Sequence, residues 1–181
     1  ACFDVFFRRV PDGGGFAIMA GLEQIIAYMK LLSFTEEDTD YLRSKNCFSE
    51  EFLDFLRDFK FKCDVWAVPE GTPIFPHEPL IVVRGPVMQA QFIETMILLT
   101  INHQSLIATK AARVTYAAKG DGVLEFGLRR AQGPDAGVYG ARAAMIGGCV
   151  ATSNVLAGQM FHVPVSGTHA HSWIMSFPDE Y

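Results

Sequence analysis

Arg129 and Arg130 are adjacent guanidinium side chains that follow Phe126 and Gly127 at the end of a short apolar run, Gly122 to Phe126. A run of that kind reads as a buried strand, and the point where a buried strand opens into a loop is where α/β proteins gather ligand-binding groups. Paired guanidiniums there can grip carboxylate or phosphate oxygens through two parallel hydrogen bonds. The plain alternative is a surface pair engaged in salt bridges. Gly127 before the pair and Gly133-Pro134-Asp135-Ala136-Gly137 after it punctuate the backbone on both sides, which lets it approach a ligand closely.

A second reactive group lies further on, in Ser166-Gly167-Thr168-His169-Ala170-His171-Ser172-Trp173. His169 and His171 have the spacing of a metal pair, but no cysteine adjoins them, and the nearest carboxylates, Asp179 and Glu180, stand at the end of the sequence. The histidines can instead be structural, or one can be a functional imidazole beside an anionic pocket, as proton carrier or nucleophile. Gly167 and Thr168 supply backbone amides and a hydroxyl suited to phosphoryl oxygens. Lys110 and Arg113 share a face of a helical stretch. They are solvated cations unless that face turns toward Arg129, in which case they become phosphate contacts.

The surrounding pattern supplies the framework for these groups. After residue 119 the rhythm is regular, with strand 122–126, helix 136–146, strand 149–153, helix 154–160 and strand 163–165, which implies parallel strands joined by crossovers. Three such units suggest part of an α/β barrel, whose functional residues sit at the C-terminal strand ends. Upstream, Cys2 to Phe7 reads as a strand closed by Arg8 to Gly15. The glycines there form a turn rather than a phosphate loop, because no GxGxxG or Gly-Lys-Ser/Thr spacing is present. Phe16 to Leu32 reads as a single helix. Two shorter helices, near Glu36 to Lys45 and Glu50 to Phe59, begin at Thr35 and Ser49, each an N-cap followed by acids. Phe61 to Arg84 breaks into short β segments. Gln89 to Lys119 gives the longest helical region, with Phe92, Met96, Ile97, Leu99 and Ile101 buried and a break near Asn102-His103. The organisation expected is a small α+β layer over 1–86, connecting helices over 87–118 and βα units over 119–181.

Composition narrows the function classes. Half of the 181 residues are hydrophobic, ample for a buried core. A net charge of -5 without a basic block argues against a nucleic-acid groove. No apolar run reaches the roughly 18 residues of a membrane span. The four cysteines are widely separated and read as reduced thiols of a cytoplasmic protein. The sequence opens inside an apolar strand and stops after Ser176-Phe177-Pro178-Asp179-Glu180-Tyr181 with no closing element, as a piece of a longer chain would.

Four segments in order, PEGTPIFPHEPLIVVRGPVMQAQFIET (Pro69 to Thr95), EFGLRRAQGPDAG (Glu125 to Gly137), TSNVLAG (Thr152 to Gly158) and SGTHAHSW (Ser166 to Trp173), together resemble the nicotinate phosphoribosyltransferase family. The resemblance implies a partial irregular α/β barrel of the type II phosphoribosyltransferase kind with a smaller α+β sandwich-like domain, and a homodimer. It implies coupling of nicotinate to phosphoribosyl pyrophosphate, giving nicotinate mononucleotide and pyrophosphate, with ATP hydrolysis through a phosphohistidine and Mg2+ accompanying the phosphates. Carried over by position, His171 is the phosphohistidine, with His169 at a variable place beside it. Phe126 stacks on the pyridine, Arg129 and Arg130 meet the nicotinate carboxylate and phosphates, and Ser153, carried over as a site residue, falls with Asn154 where related enzymes line the base pocket. Sister enzymes using nicotinamide or quinolinate, a non-catalytic phosphate-binding or dimerisation module and a metal protein are the competing readings. The arginine pair, and a serine at 153 where an amide-using enzyme would have an acid, favour a carboxylate substrate. The resemblance covers well under half of a typical member. It implies that an upstream helix and the later barrel strands are absent, so that these 181 residues alone turn over poorly.

Overall fold

In chain order the elements are β1 (Cys2–Val5), β2 (Ala17–Ile18), α1 (Leu22–Leu31), α2 (Glu36–Ser44), α3 (Glu50–Arg57), β3 (Asp64–Ala67), β4 (Pro73–Ile74), β5 (Ile81–Arg84), α4 (Val87–Phe92), α5 (Glu94–Ala117), β6 (Leu124–Glu125), α6 (Pro134–Ile146), β7 (Ala151–Thr152), α7 (Val155–Phe161) and α8 (His171–Ile174). The computed structural model describes residues 1–179; Glu180 and Tyr181 lie outside the described residues. The architecture is mixed α/β, and its strands fall into three separate sheets.

The first sheet has the order β1-β5-β3, with β5 central and antiparallel to both neighbours. On β5, Ile81 and Val83 are buried while Arg84 is exposed, the alternation a strand with one covered face requires. Arg84 pairs with Asp64 directly across the ladder at 2.9 Å and lies over the Trp66 ring. The second sheet is the two-residue pair β2-β4. The third is parallel: β6 pairs with β7, and Val165 adds a single parallel bridge to Thr152.

The 24-residue α5 is the common support. Its buried residues Ile97, Ile101, Gln104, Ser105, Ala108 and Ala111 recur at three- or four-residue steps, and it packs on α6, α1 and β2. Two hydroxyls on this face take amides of β2 and of the residues just after it. The Ile18 N–H donates to Thr109 Oγ1 at 2.8 Å, and the Ala20 N–H donates to Ser105 Oγ at 3.0 Å. An ionic clamp completes the junction. Glu70 Oε1 accepts from the Gly21 and Leu22 amides at 2.6 and 3.1 Å and from Arg142 Nη1 at 2.9 Å. Glu70 Oε2 accepts from Arg142 Nη2 at 2.6 Å, and Arg142 also reaches Glu23. Burial acts to raise the Glu70 carboxyl, but the Arg142 hydrogen bonds and charge, together with the two amides, outweigh it and hold the group below its ordinary range.

The structure departs from the sequence pattern at several places. Residues 16–32 do not form one helix. Ala17–Ile18 is a strand, because its amide hydrogen bonding is met by α5 and β4, and α1 starts only after Gly21, whose φ of 103° suits glycine. An added Cβ at Gly21 would also stand 2.9 Å from Thr100 Cγ2. The long helix does not break at Asn102-His103. The interruption falls at Ile93, between α4 and α5, while His103 Nε2 hydrogen bonds with the Ala136 carbonyl at 3.1 Å and leaves the helix intact. Leu99, expected in the core, is 63% exposed. The run Gly122 to Phe126 yields only the two-residue β6, with Leu124 and Phe126 exposed. The segment 163–165 contributes a bridge rather than a strand. All four cysteines are unbridged, and among the described residues no helix is long and apolar enough to cross a membrane.

Candidate functional site

Parallel pairing brings the C-terminal ends of β6 and β7 side by side, with the Val165 bridge on the far side of β7. Each end opens into a segment singled out from the sequence. Beyond β6 come Phe126, Gly127 and a 3-10 turn, Leu128–Arg130, that carries both arginines. Beyond β7 comes Ser153, half-buried, whose N–H donates to the Glu125 carbonyl at 3.0 Å. Beyond Val165 come Ser166, whose N–H donates to the Thr152 carbonyl at 3.0 Å, and then exposed Gly167 and Thr168. The arrangement places Phe126, Ser153 and Ser166 at one end of one small sheet, as ligand sites at the strand ends of parallel sheets require.

The electrostatics of this end are set by what is left unpaired. Among the described residues neither Arg129 nor Arg130 makes an ion pair or a side-chain hydrogen bond, and both are exposed. A pair absorbed by surface salt bridges would look different. Two unengaged guanidiniums beside an exposed aromatic ring suit a planar anion, held by charge at one edge and by stacking on its face.

His171 is the first residue of the short α8 and is exposed, as is His169. No hydrogen bond or ion pair among the described residues joins either histidine to Arg129 or Arg130. Among the described residues no group of three His, Cys, Asp or Glu side chains gathers to hold a metal ion.

Lys110 and Arg113 are both engaged at the Pro11–Gly13 turn. Lys110 Nζ lies 3.2 Å from Asp12 Oδ2, and Arg113 reaches the same oxygen at 3.5 Å and the Pro11 carbonyl at 3.2 Å. The reason is Asp12, which adopts a φ of 57° in the 3-10 turn Pro11–Gly13 and turns its carboxylate to the α5 face. The two cations are charge partners of that turn, a role that only the tertiary fold displays.

Glu125 drew no role from the sequence, and Asn154 only the place beside Ser153 that the family resemblance implies. Glu125, the last residue of β6, accepts from the Gly127 N–H at 2.5 Å through Oε1 and from the Thr152 hydroxyl at 2.6 Å through Oε2. Asn154 caps α7 by accepting from the Ala157 N–H at 3.1 Å, and its Nδ2 is buried without a hydrogen-bond partner among the described residues. An acid directly before an aromatic-glycine pair was the available signal for Glu125. For Asn154 it was the N-cap position ahead of an apolar helical run.

Comparison with known proteins decides the lineage. A family model, nicotinate phosphoribosyltransferase (NAPRTase) N-terminal domain, matches residues 1–102. The chain belongs to the nicotinate phosphoribosyltransferase family. Within it, nicotinate phosphoribosyltransferase of Bacillus subtilis is 46% identical over 181 residues, covering 100% of this chain and 37% of the relative. Nicotinate phosphoribosyltransferase pncB2 of Mycobacterium tuberculosis is 44% identical over 180 residues, covering 99% of this chain and 39% of the relative. The crystal structure of human nicotinic acid phosphoribosyltransferase superposes with a TM-score of 0.90 at 41% identity, covering 98% of this chain and 36% of that one. The chain thus spans under two fifths of the length of these relatives, and the family motifs with Arg129, Ser153 and His171 lie beyond residue 102, in the part reached by the full-length comparisons.

Proposed function

We propose that this chain carries the base-binding part of a nicotinate phosphoribosyltransferase, which joins nicotinate to phosphoribosyl pyrophosphate and releases pyrophosphate, with ATP hydrolysis coupled through a phosphohistidine. The observation that carries the reading is the pair of unengaged guanidiniums beside Phe126, at the strand end adjoining Ser153, in a chain of this family. In this reading Phe126 stacks on the pyridine ring while Arg129 and Arg130 take its carboxylate and a phosphate group. Ser153 bounds the base pocket, and Gly167 and Thr168 offer an amide and a hydroxyl to phosphoryl oxygens.

The ring nitrogen then forms its bond to C1 of the ribose as the C1–oxygen bond to pyrophosphate breaks, and the electron pair leaves with pyrophosphate. Negative charge moves onto the leaving group, so fixed cations lower the barrier, and the base itself needs only to be held in line. His171, exposed at the start of α8, is the phosphate acceptor from ATP; the phosphate adds charge beside the anion site and is later lost to water. Mg2+ would accompany the substrates' phosphate oxygens and would neutralise charge on the departing pyrophosphate. Residues 119–181 are the opening units of an irregular α/β barrel, 1–86 the sandwich-like part and 87–118 the helices between them, in an enzyme that works as a cytoplasmic homodimer.

The test follows labelled nicotinate, nicotinamide and quinolinate in parallel in the full-length natural chain, each with phosphoribosyl pyrophosphate and Mg2+, with and without ATP. Mononucleotide from nicotinate, stimulated by ATP, is expected, as is loss of phosphate incorporation from ATP in His171→Ala. Product from another base alone, or undiminished labelling of His171→Ala, overturns the corresponding part of the reading.

A further inference from the structure

The Glu125 carboxylate is an unusual object to find at the mouth of an anion site, since it adds negative charge where the arginines provide positive. Its contacts account for it. One oxygen takes the Gly127 amide at 2.5 Å, and the other takes the Thr152 hydroxyl at 2.6 Å. The Thr152 oxygen in turn accepts from the Asn154 N–H at 3.0 Å, and Asn154 caps α7. Thr152 is fully buried. A continuous chain of hydrogen bonds therefore runs from the turn that bears the arginines, through Glu125 and Thr152, to the residue after Ser153. Hydrogen bonds to an ionised acceptor are the stronger class, and a linked chain holds its members in one arrangement.

Gly127 bears on the same carboxylate oxygen. Its backbone, at φ −84° and ψ −4°, is one that any L-residue adopts, so its conformation does not call for glycine. An added Cβ would stand 2.8 Å from Glu125 Oε1, so a side chain at 127 requires the carboxylate to move from its place. A substitution at 127 therefore acts on the Glu125 carboxylate, which couples the two positions.

We propose that Glu125 is a positioning residue for substrate binding, fixing the Phe126–Arg130 turn against the Ser153 segment so that ring, cations and serine converge on one ligand. The inference rests on the functional reading above. Its charge is taken up by the two donors, which leaves Arg129 and Arg130 free for the anion.

The test is a double-mutant cycle in the full-length natural chain, with KM for nicotinate, kcat and the unfolding midpoint measured on each variant. Glu125→Ala releases the turn, and Gly127→Ala pushes the carboxylate aside. Each is expected to raise KM about tenfold, the scale of a lost hydrogen bond to a charged group. Removing Glu125 makes room for the new methyl, so the double variant should be no worse than the worse single one, instead of about a hundredfold impaired as independent effects predict. Glu125→Gln keeps the shape and an acceptor for Gly127, and should return KM to within about threefold of the parent. Multiplying effects, or unchanged KM in Glu125→Ala, overturns the proposal, as does a KM rise that merely tracks the unfolding midpoint.

A second readout is independent of turnover. In 1H–15N spectra, Glu125→Ala should displace the amide resonances of Gly127 to Arg130 and of Ser153 while leaving those of α2 and α3 in place. Absence of any nicotinate product from the parent chain would remove the functional reading, whereas unmoved Gly127 and Ser153 resonances would remove the positioning role.

Discussion

The clamp between Glu70 and Arg142 makes a demanding prediction, because it is partly buried, polydentate and joins three elements distant in sequence. The Arg142 and Glu70 side chains are only 12% and 19% exposed. Glu70→Ala removes two hydrogen bonds from Arg142 and two from the first amides of α1, leaving the guanidinium with Glu23 alone, which is 72% exposed. Breaking a buried pair by deleting one partner costs roughly 3–5 kcal/mol. The surviving Glu23 contact and the residual solvent access lower this, so a loss of about 3 kcal/mol is expected, equivalent to roughly 6–12 °C in melting temperature for a chain of this size. Glu70→Gln retains volume and one acceptor and should lose about half as much. Urea unfolding of Glu70→Ala, Arg142→Ala and the double variant should give a coupling energy above about 1 kcal/mol. A Glu70→Ala protein within about 0.5 kcal/mol of the parent would refute the reasoning. The pH dependence adds a second check. Glu70 is held below its ordinary value of 4.5, so near that pH the unfolded chain binds more protons than the folded one. The clamp's contribution is therefore complete above that value and disappears as pH falls through the lower folded value. The acid limb of a stability–pH profile should flatten in Glu70→Gln.

Further outcomes follow from the same contacts. Thr109→Val leaves the buried Ile18 N–H without its acceptor and should cost about 1–3 kcal/mol by denaturant unfolding, detaching β2 from α5. Asn154→Ala loses the α7 cap for about 1–2 kcal/mol and, if the proposed function holds for the full-length natural chain, should there raise KM for nicotinate more than it lowers kcat, through the adjoining Ser153.

The sequence disclosed those parts of the fold whose causes are local. Thr35 and Ser49 do cap α2 and α3, accepting from the Asp38 and Phe52 amides, because a cap is written within four residues. The β-α alternation after residue 119 was legible from its period, and with it the rule that sends Phe126 and Ser153 to the same end. What escaped was governed by distant partners. The β2 strand is only two residues long and is held by hydroxyls about ninety positions away, so no window around Ala17 contains its cause. Leu99 carries the apolar signal of a core residue, yet hydropathy alone does not tell a covered helix face from an open one. Lys110 and Arg113 were visible as a pair, but their engagement depends on the backbone of Asp12. Glu125 carries no local sign of its role, since its partners are an amide two residues on and a hydroxyl on the next strand.

The hydroxyl anchors between α5 and the β2 region also set an order of events during synthesis. Ile18 and Thr109 are 91 positions apart, and Ala20 and Ser105 are 85 apart. At roughly 5–20 residues per second, β2 leaves the ribosome about 5–18 s before the helix that satisfies it. Over that interval its amides are served by water or by a passing chaperone, and contacts of such long sequence separation are slow to close once α5 has emerged. The β2 segment thus emerges ahead of the helix that holds it, so a slowed ribosome over the stretch encoding residues 20 to 110 would lengthen the exposure of this strand without altering any contact of the finished protein.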